Sequence, residues 1–419
     1  MLRVSKLARH RAATYGRARG VVIARFMLAY GMIVCGVIVC GVSRAAPVLA
    51  ATKTTSQTTP AFAYHPDLRP VHAVSSTMIS VDGGLLPVYV SADLDQAHPQ
   101  IVRAVIVIHG KLRNADSYFA TIRHAESLAG DDAANTTLII APQFLATLDI
   151  APNQVSDKVL RWQDNAWMAG EPAVGPTPVS SYRALDALIT QLADRQRFPN
   201  LREIIIAGHS GGAQVAQRYA VASHNGDALA RNGIRVRFLL SSPSTYAYFD
   251  AQRPVASGPD EGTLEAKGSG NNKDQIKGDG DEEGKGEDYG ARIAFAPFDA
   301  AACPAFDEWK YGMKNRPAYL AADNPKALED AYISRDVTYL VGGNDDSPTQ
   351  KAMDKSCPAE AQGSNRVIRA ESYYAYLQQR HPGLHQSFHV VPGVGHNQAK
   401  MLTSVCALHV MFGKPGCSR

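Results

Sequence analysis

The strongest constraint on the fold is a regular alternation between two kinds of segment. Short, continuous apolar runs, typical of strands buried on both faces of a sheet, lie at Ala104–Ile108, Thr137–Ala141, Glu203–Ala207, Val236–Leu240, Val337–Val341 and Phe388–Val391. Apolar residues spaced three and four apart predict helices at Ala115–Leu128, Ser181–Arg195, Ala213–Ala222 and Arg366–Gln379. The alternation predicts an α/β fold with an open, mostly parallel central sheet flanked by helices.

A hairpin is predicted ahead of this alternation. Val74–Val81 and Leu86–Ser91 have strand character, and Asp82-Gly83-Gly84 between them favours a tight turn. Antiparallel strands at this point suit the edge of the sheet. We therefore expect one folded domain over residues 71–419.

The clearest chemical motif is Gly208-His209-Ser210-Gly211-Gly212, a G-x-S-x-G sequence. It follows an apolar run and precedes a helical pattern, which is the strand–turn–helix context that exposes a nucleophilic serine. A serine hydroxyl needs a base to take its proton. The sequence therefore predicts Ser210 as a nucleophile with a histidine close to it in space.

His396 is the candidate base, because it lies in a Gly-rich loop just beyond the last predicted strand. His389 within that strand and His409 near the C-terminus are interpreted as packing or surface residues. The acid is expected after the preceding strand, where Asp345 and Asp346 are adjacent. We favour Asp345, which completes a G-x-x-D turn from Gly342, and keep Asp346 as the alternative acid.

Acyl transfer also needs donors for the oxyanion. The backbone N–H of Gly211, directly after the nucleophile, is the first candidate. The second is expected in His109-Gly110-Lys111, which follows the first central strand. Within it, Lys111 is the predicted donor, Gly110 allows close backbone approach, and the Lys111 side chain is a candidate contact for an anionic substrate.

These motifs, in this order, resemble the α/β-hydrolase superfamily from about Val102 to the C-terminus. The chain departs from many lipases in that family, which have a longer His-Gly-Gly-Gly segment where His109-Gly110 stands here. The resemblance implies a Ser-His-Asp mechanism through an acyl-enzyme, with no required cofactor. It does not identify a substrate, because the fold supports many activities.

The favoured function is hydrolysis of a carboxylic ester, with a small molecule or acyl ester as substrate. A serine peptidase or amidase on the same fold is the enzymatic alternative, and a non-catalytic binding protein is a third. No metal site is predicted, because the cysteines lack C-x-x-C spacing. Trp162 and Trp167 either line a substrate pocket or anchor an irregular segment, and the sequence favours neither.

Two regions differ in composition from the domain. Residues 255–290 are rich in Gly, Asp, Glu, Lys and Asn, which predicts a disordered insert at a place where this fold often carries a lid. Residues 1–50 combine a basic start with an apolar run at Phe26–Val42, which predicts a signal peptide or, if retained, a membrane anchor. Residues 51–70 are interpreted as a linker.

Charge argues against nucleic-acid binding. Residues 1–44 contain eight of the 43 Lys and Arg residues and none of the 39 Asp and Glu residues, so the remaining chain has a formal net charge near −4. We expect an exported protein, periplasmic or secreted, with possible membrane association through its N-terminal segment.

Four cysteines lie outside the targeting segment: Cys303, Cys357, Cys406 and Cys417. In an oxidising compartment, an even set suggests two disulfides, and three pairings are possible. We favour Cys303 with Cys357 and Cys406 with Cys417, because the last two are close along the chain.

Overall fold

The computed structural model of the protein describes residues 68–255 and 293–417. The predicted targeting segment, most of the linker and nearly all of the predicted insert lie outside these described residues. No helix within them is long and apolar enough to cross a membrane.

The strands of the described chain are β1 Met78–Val81, β2 Gly84–Val90, β3 Arg103–Ile108, β4 Thr137–Pro142, β5 Leu145–Ala146, β6 Arg161–Trp162, β7 Glu203–His209, β8 Arg235–Ser241, β9 Gln252–Pro254, β10 Phe295–Pro297, β11 Asp336–Gly342 and β12 Ser387–Val391. Eight of them form the central sheet, in the spatial order β1-β2-β4-β3-β7-β8-β11-β12. All strand pairs from β4 to β12 in the central sheet are parallel. The predicted α/β architecture is confirmed.

The hairpin of β1 and β2 lies at one edge of the sheet, as predicted. Its two strands pair antiparallel, and β2 continues antiparallel onto β4. Asp82 and Gly83 both have positive φ, at 43° and 85°, which is the backbone that a two-residue hairpin turn needs. The first strand is shorter than predicted and begins at Met78.

Helices cover both faces of the sheet. Those of the described residues are α1 Ala115–Ala129, α2 Asp131–Thr136, α3 Thr147–Ile150, α4 Ser181–Leu192, α5 Gly211–Ala222, α6 Gly226–Arg231, α7 Pro325–Ile333, α8 Cys357–Glu360, α9 Arg366–Arg380, α10 Gln398–Leu402 and α11 Val405–Phe412. The four predicted helices are present as α1, α4, α5 and α9, with ends that differ by up to three residues.

Alternate residues of the central strands enter two separate apolar cores. In β3, Ile106 and Ile108 pack in the core that includes residues of α4, α5 and α9. Val105 and Val107 of the same strand pack in the other core, with residues of α1 and α11. Burial on both faces explains why these strands are continuous apolar runs rather than alternating patterns.

Two disulfides join elements outside the sheet. Cys303 is bonded to Cys357 with a Cα–Cα distance of 6.0 Å, and Cys406 to Cys417 with a Cα–Cα distance of 4.8 Å. The favoured pairing is confirmed.

A two-stranded ribbon lies at the two ends of the predicted insert. Strands β9 and β10 pair antiparallel, with Pro254 opposite Phe295, and the Val255 N–H donates to the Ala294 carbonyl at 3.0 Å. The described residues on either side of positions 256–292 therefore lie on paired strands.

Candidate active site

Ser210 lies at the sharp turn between β7 and α5. Its backbone has φ 57° and ψ −119°, a left-handed φ that is rare and strained for a residue with a side chain. Its N–H donates to the Ser241 carbonyl of the neighbouring strand at 2.9 Å, which fixes the turn against the sheet. The sequence thus folds locally into the strand–turn–helix corner that the G-x-S-x-G motif predicts.

Two glycines of the motif permit the close approach of strand and helix. A Cβ atom on Gly212 would lie 1.9 Å from the Ile108 carbonyl oxygen, and one on Gly208 would lie 2.3 Å from the Gly212 carbonyl carbon. Both contacts are with backbone, which cannot rotate away. These positions therefore require glycine.

His396 reaches Ser210 from the loop that follows β12. Its Nε2 is 3.0 Å from Ser210 Oγ, and its Nδ1 is 2.7 Å from Asp345 Oδ2. Burial lowers the pKa of His396, and the hydrogen bond to Asp345 opposes that shift. At neutral pH the imidazole is therefore neutral and able to accept a proton.

Asp345 follows β11 in the predicted turn, since its N–H donates to the Gly342 carbonyl at 2.9 Å. Its side chain is buried and accepts from Arg366 through the oxygen that does not face His396, at 3.2 Å. Asp346, the alternative acid, is half-exposed and takes part in none of the hydrogen bonds or ion pairs recorded for the described residues. The geometry thus brings Ser210, His396 and Asp345 into one hydrogen-bonded chain and leaves Asp346 outside it.

The predicted oxyanion loop adjoins the turn that carries Ser210. A Cβ atom on Gly211 would lie 3.1 Å from the Lys111 backbone nitrogen, so these two backbones are in contact. The Gly211 N–H lies in the first turn of α5, where backbone N–H groups lack partners within the helix. Gly110 is packed against Tyr118, whose hydroxyl would be 2.8 Å from an added Cβ atom.

His109 fixes the start of this loop. Burial lowers its pKa to about 4, so the ring is neutral. Its Nε2 accepts from the Phe144 N–H at 2.9 Å, which leaves the ring proton on Nδ1 to donate to the Gly110 carbonyl. His109 therefore links the loop to the segment after β4.

Arg113 fixes the end of the loop, a role that no sequence pattern predicted. The side chains of Arg113 and Asp149 are fully buried and form an ion pair at 2.6 Å. The same guanidinium donates to the Lys111 carbonyl at 3.2 Å. The backbone of Lys111 is thereby attached to a buried charged pair.

Trp162 and Trp167 are fully buried, which supports the anchoring interpretation over the pocket-lining one. Trp162 donates to the Glu171 carbonyl at 2.9 Å, and Trp167 stacks on Phe144 with ring centroids 5.4 Å apart. The residue that reaches the site is Met168, whose Cε would be 3.1 Å from a Cβ atom on Gly211. The tryptophans hold this segment, and Met168 packs beside the turn that carries Ser210.

His209 packs against His396 rather than against Ser210. Its ring centroid is 4.6 Å from that of His396, and its Nδ1 is 3.1 Å from Ser241 Oγ. Burial lowers the pKa of His209 well below its ordinary value, so its ring adds no charge beside His396. The sequence predicted that this residue lies at the turn, but not that it contacts His396.

One group of possible metal ligands occurs within the described residues: His389, Cys406 and Cys417. The two cysteines are joined in a disulfide, so neither sulfur is available as a thiolate ligand.

The fold and the site geometry define a class: a mostly parallel α/β sheet with a serine at a strained strand–helix corner, the arrangement of hydrolases built on this sheet. The model of the alpha/beta hydrolase family matches residues 105–403, more than two thirds of the chain. The matched region includes Ser210, Asp345 and His396. The chain therefore belongs to the alpha/beta hydrolase family, and the resemblance found in the sequence is confirmed.

Several solved structures are similar to this chain. The poly(3-hydroxybutyrate) depolymerase LpqC from Bordetella parapertussis is 16% identical, with 80% of this chain and 86% of that chain covered and a TM-score of 0.49. Poly(aspartic acid) hydrolase-1 from Sphingomonas sp. KT-1 is 18% identical, with 82% of this chain and 100% of that chain covered and a TM-score of 0.49. The siderophore hydrolase EstB from Aspergillus nidulans is 12% identical, with 84% of this chain and 99% of that chain covered and a TM-score of 0.39. None of the curated proteins matches the sequence.

Proposed function

We propose that this hydrolase is an exported serine esterase that cleaves a carboxylic ester through Ser210, His396 and Asp345. The observation that carries the proposal is the hydrogen-bonded chain of the three side chains, with 3.0 Å from Ser210 Oγ to His396 Nε2 and 2.7 Å from His396 Nδ1 to Asp345 Oδ2. A nucleophile, a base and an orienting acid in this geometry are the requirements for acyl transfer.

In the proposed reaction, Ser210 Oγ attacks the ester carbonyl while His396 Nε2 takes the hydroxyl proton. The imidazolium then donates this proton to the leaving alcohol, and the acyl group stays on Ser210. Water attacks the acyl-enzyme with His396 again as the base, which releases the carboxylic acid and restores the serine. Asp345 accepts from Nδ1 throughout, so it holds the tautomer and stabilises the imidazolium.

The tetrahedral intermediates carry an oxyanion, and two backbone N–H groups are proposed to bind it. These belong to Gly211 and Lys111, whose backbones are in contact. The Gly211 N–H also lies at the N-terminus of α5, where the helix dipole favours negative charge. His109 and Arg113 hold the Lys111 side of this site in place.

Export and an oxidising compartment are part of the proposal. Two disulfides among the described residues support it, because such bonds persist mainly outside the cytoplasm. Membrane association through residues 1–50 and the absence of nucleic-acid binding remain proposals from the sequence.

The proposal is tested with a fluorophosphonate probe, which labels an activated serine whatever the substrate. We expect Ser210→Ala to abolish labelling and to lower hydrolysis of p-nitrophenyl acetate by several orders of magnitude. His396→Ala should cost about as much, and the double variant no more than either, because the triad acts as a unit.

Ser127→Ala is the matched control, since Ser127 is exposed on α1. It should label and hydrolyse like the wild type. Retention of ester turnover by the Ser210→Ala variant would place the nucleophile elsewhere. Faster turnover of a p-nitroanilide than of the ester would favour the amidase alternative.

A further inference from the structure

A buried arginine lies directly behind the candidate acid. Arg366 is the first residue of α9, and its side chain is fully buried. Its Nη1 donates to Asp345 Oδ1 at 3.2 Å and to Gln350 Oε1 at 2.6 Å. The Asp345 carboxylate is therefore held between the base on one oxygen and a guanidinium on the other.

Two features of this position disfavour a cation. The start of a helix carries partial positive charge and disfavours a cation. Nε and Nη2 of Arg366 are buried and have no hydrogen-bond partner among the described residues. Buried donors are normally paired, so the position of Arg366 has no adequate explanation in packing alone.

The charges around the base give Arg366 a distinct role. His396 interacts with the ionisable groups of Asp345, Arg366 and Lys111, and with the neutral ring of His209. Arg366 itself interacts with Asp345, Arg369 and Tyr246. Arg366 is a permanent cation, so it opposes a second positive charge on the imidazole.

We propose that Arg366 is a positioning residue that extends activity to lower pH, by fixing Asp345 and by keeping the imidazole of His396 neutral. The inference rests on the proposed serine-hydrolase function. Only the neutral imidazole can accept the Ser210 proton, so activity falls as pH decreases through the pKa of His396. Burial lowers this pKa first, and the charge of Arg366 lowers it further.

The test is the pH dependence of fluorophosphonate labelling of the full chain, which requires no known substrate. In Arg366→Met, the midpoint of the acid limb should rise by about one pH unit, the size expected for a unit charge several ångströms away at intermediate dielectric. Arg366→Lys keeps the charge and should leave the midpoint close to the wild-type value. A folded Arg366→Met variant with an unchanged or lowered midpoint overturns the proposal.

Arg380→Met is the matched control for the loss of a paired arginine. Arg380 is the last residue of α9, about 21 Å from Arg366 along the helix, and pairs with Glu329. Arg380→Met should lower the melting temperature without changing the midpoint of the acid limb of the labelling pH profile. If Arg380→Met shifts the midpoint of the acid limb as far as Arg366→Met does, the effect is structural and the proposal fails.

If Arg366→Met does not fold, Gln350→Glu tests the role of Arg366 instead. It places a carboxylate beside the same guanidinium with almost no change in shape, and it should raise the acid-limb midpoint by a fraction of a unit. An unmoved midpoint then overturns the role of Arg366. If the wild type is not labelled at any pH, the proposed function fails instead, so the two failures are distinguishable.

Discussion

Two adjacent carboxylates follow β11, and the fold treats them differently. Asp345 is buried in a turn closed by the Gly342 carbonyl, and its side chain contacts both His396 and Arg366. Asp346 points out of this network and is half-exposed. Asp345 is therefore held in the hydrogen-bonded network, whereas Asp346, the next residue, lies at the surface.

The pair gives a sharp test of the acid. We expect Asp345→Asn to lower kcat/KM for p-nitrophenyl acetate by several orders of magnitude, because the amide favours the wrong tautomer of His396. Asp346→Asn should stay within about twofold of the wild type, as surface substitutions usually do. Steady-state kinetics of both variants decide it, and a larger loss for Asp346→Asn would reverse the choice of acid.

Gly212 permits a second test at the scale of one residue. A Cβ atom there would overlap the Ile108 carbonyl, so Gly212→Ala should force the elbow away from β3 and cost about 3 kcal/mol of unfolding free energy. Gly383 is the matched control, since an added Cβ atom meets nothing within 4 Å. Urea denaturation should show Gly383→Ala near the wild type. Equal stability of the two variants would contradict the close approach described for the elbow.

The residues that the sequence predicted are those tied to a motif or to the end of a strand. Ser210, Asp345 and His396 each follow an apolar run, and parallel strands bring their carboxyl ends to one edge of the sheet. Arg366 and Arg113 could not be found in this way. An arginine at the start of a helix or in a loop has no pattern until its distant partner is known.

At the scale of elements, periodicity predicted the central strands and the longer helices but not the segments between them. Residues 143–180 and 298–324 contain short strands, turns, the one-turn helix α3 and 3-10 helices, with no repeating apolar period. Their form depends on tertiary contacts, such as the stacking of Trp167 on Phe144. Local sequence carries little information about conformation of this kind.

The two disulfides differ in the length of chain they close. Cys303 and Cys357 are 54 residues apart, and Cys406 and Cys417 are 11 apart. Loop entropy predicts a loss of about 4 kcal/mol for the Cys303→Ser/Cys357→Ser variant and about 3 kcal/mol for Cys406→Ser/Cys417→Ser. Denaturant unfolding under non-reducing conditions measures both. A larger loss for the second variant would show that native contacts of the C-terminal helix outweigh chain entropy.

At the scale of the whole molecule, the alternation of segments predicted a parallel sheet but not the order of its strands. The structure places β4 between β2 and β3, and β7 beside β3. Several strand orders are compatible with the same alternation of strands and helices, and long-range packing selects among them. The hairpin lies at a sheet edge, as predicted, because an antiparallel pair of strands is easily added there.

The ribbon of β9 and β10 permits a test of the predicted insert. Deletion of residues 256–288 leaves four residues, 289–292, between Val255 and Ile293, a suitable length for a hairpin loop. We expect the variant to fold and to hydrolyse p-nitrophenyl acetate like the full chain, because long loops cost little to close. Circular dichroism and kinetics measure both properties. Loss of either would show that the segment contributes to the fold or to the site.

The separation of the site residues along the chain has a consequence for biosynthesis. Ser210 and His396 are 186 residues apart, and β12 precedes the loop that carries the histidine. At about 5 to 20 residues per second, roughly 10 to 40 s of translation separate the appearance of the two. A nascent or prematurely terminated chain can thus have the complete turn at Ser210 and still lack His396. Under the proposed mechanism, hydrolytic competence would then appear only when the last strand joins the sheet.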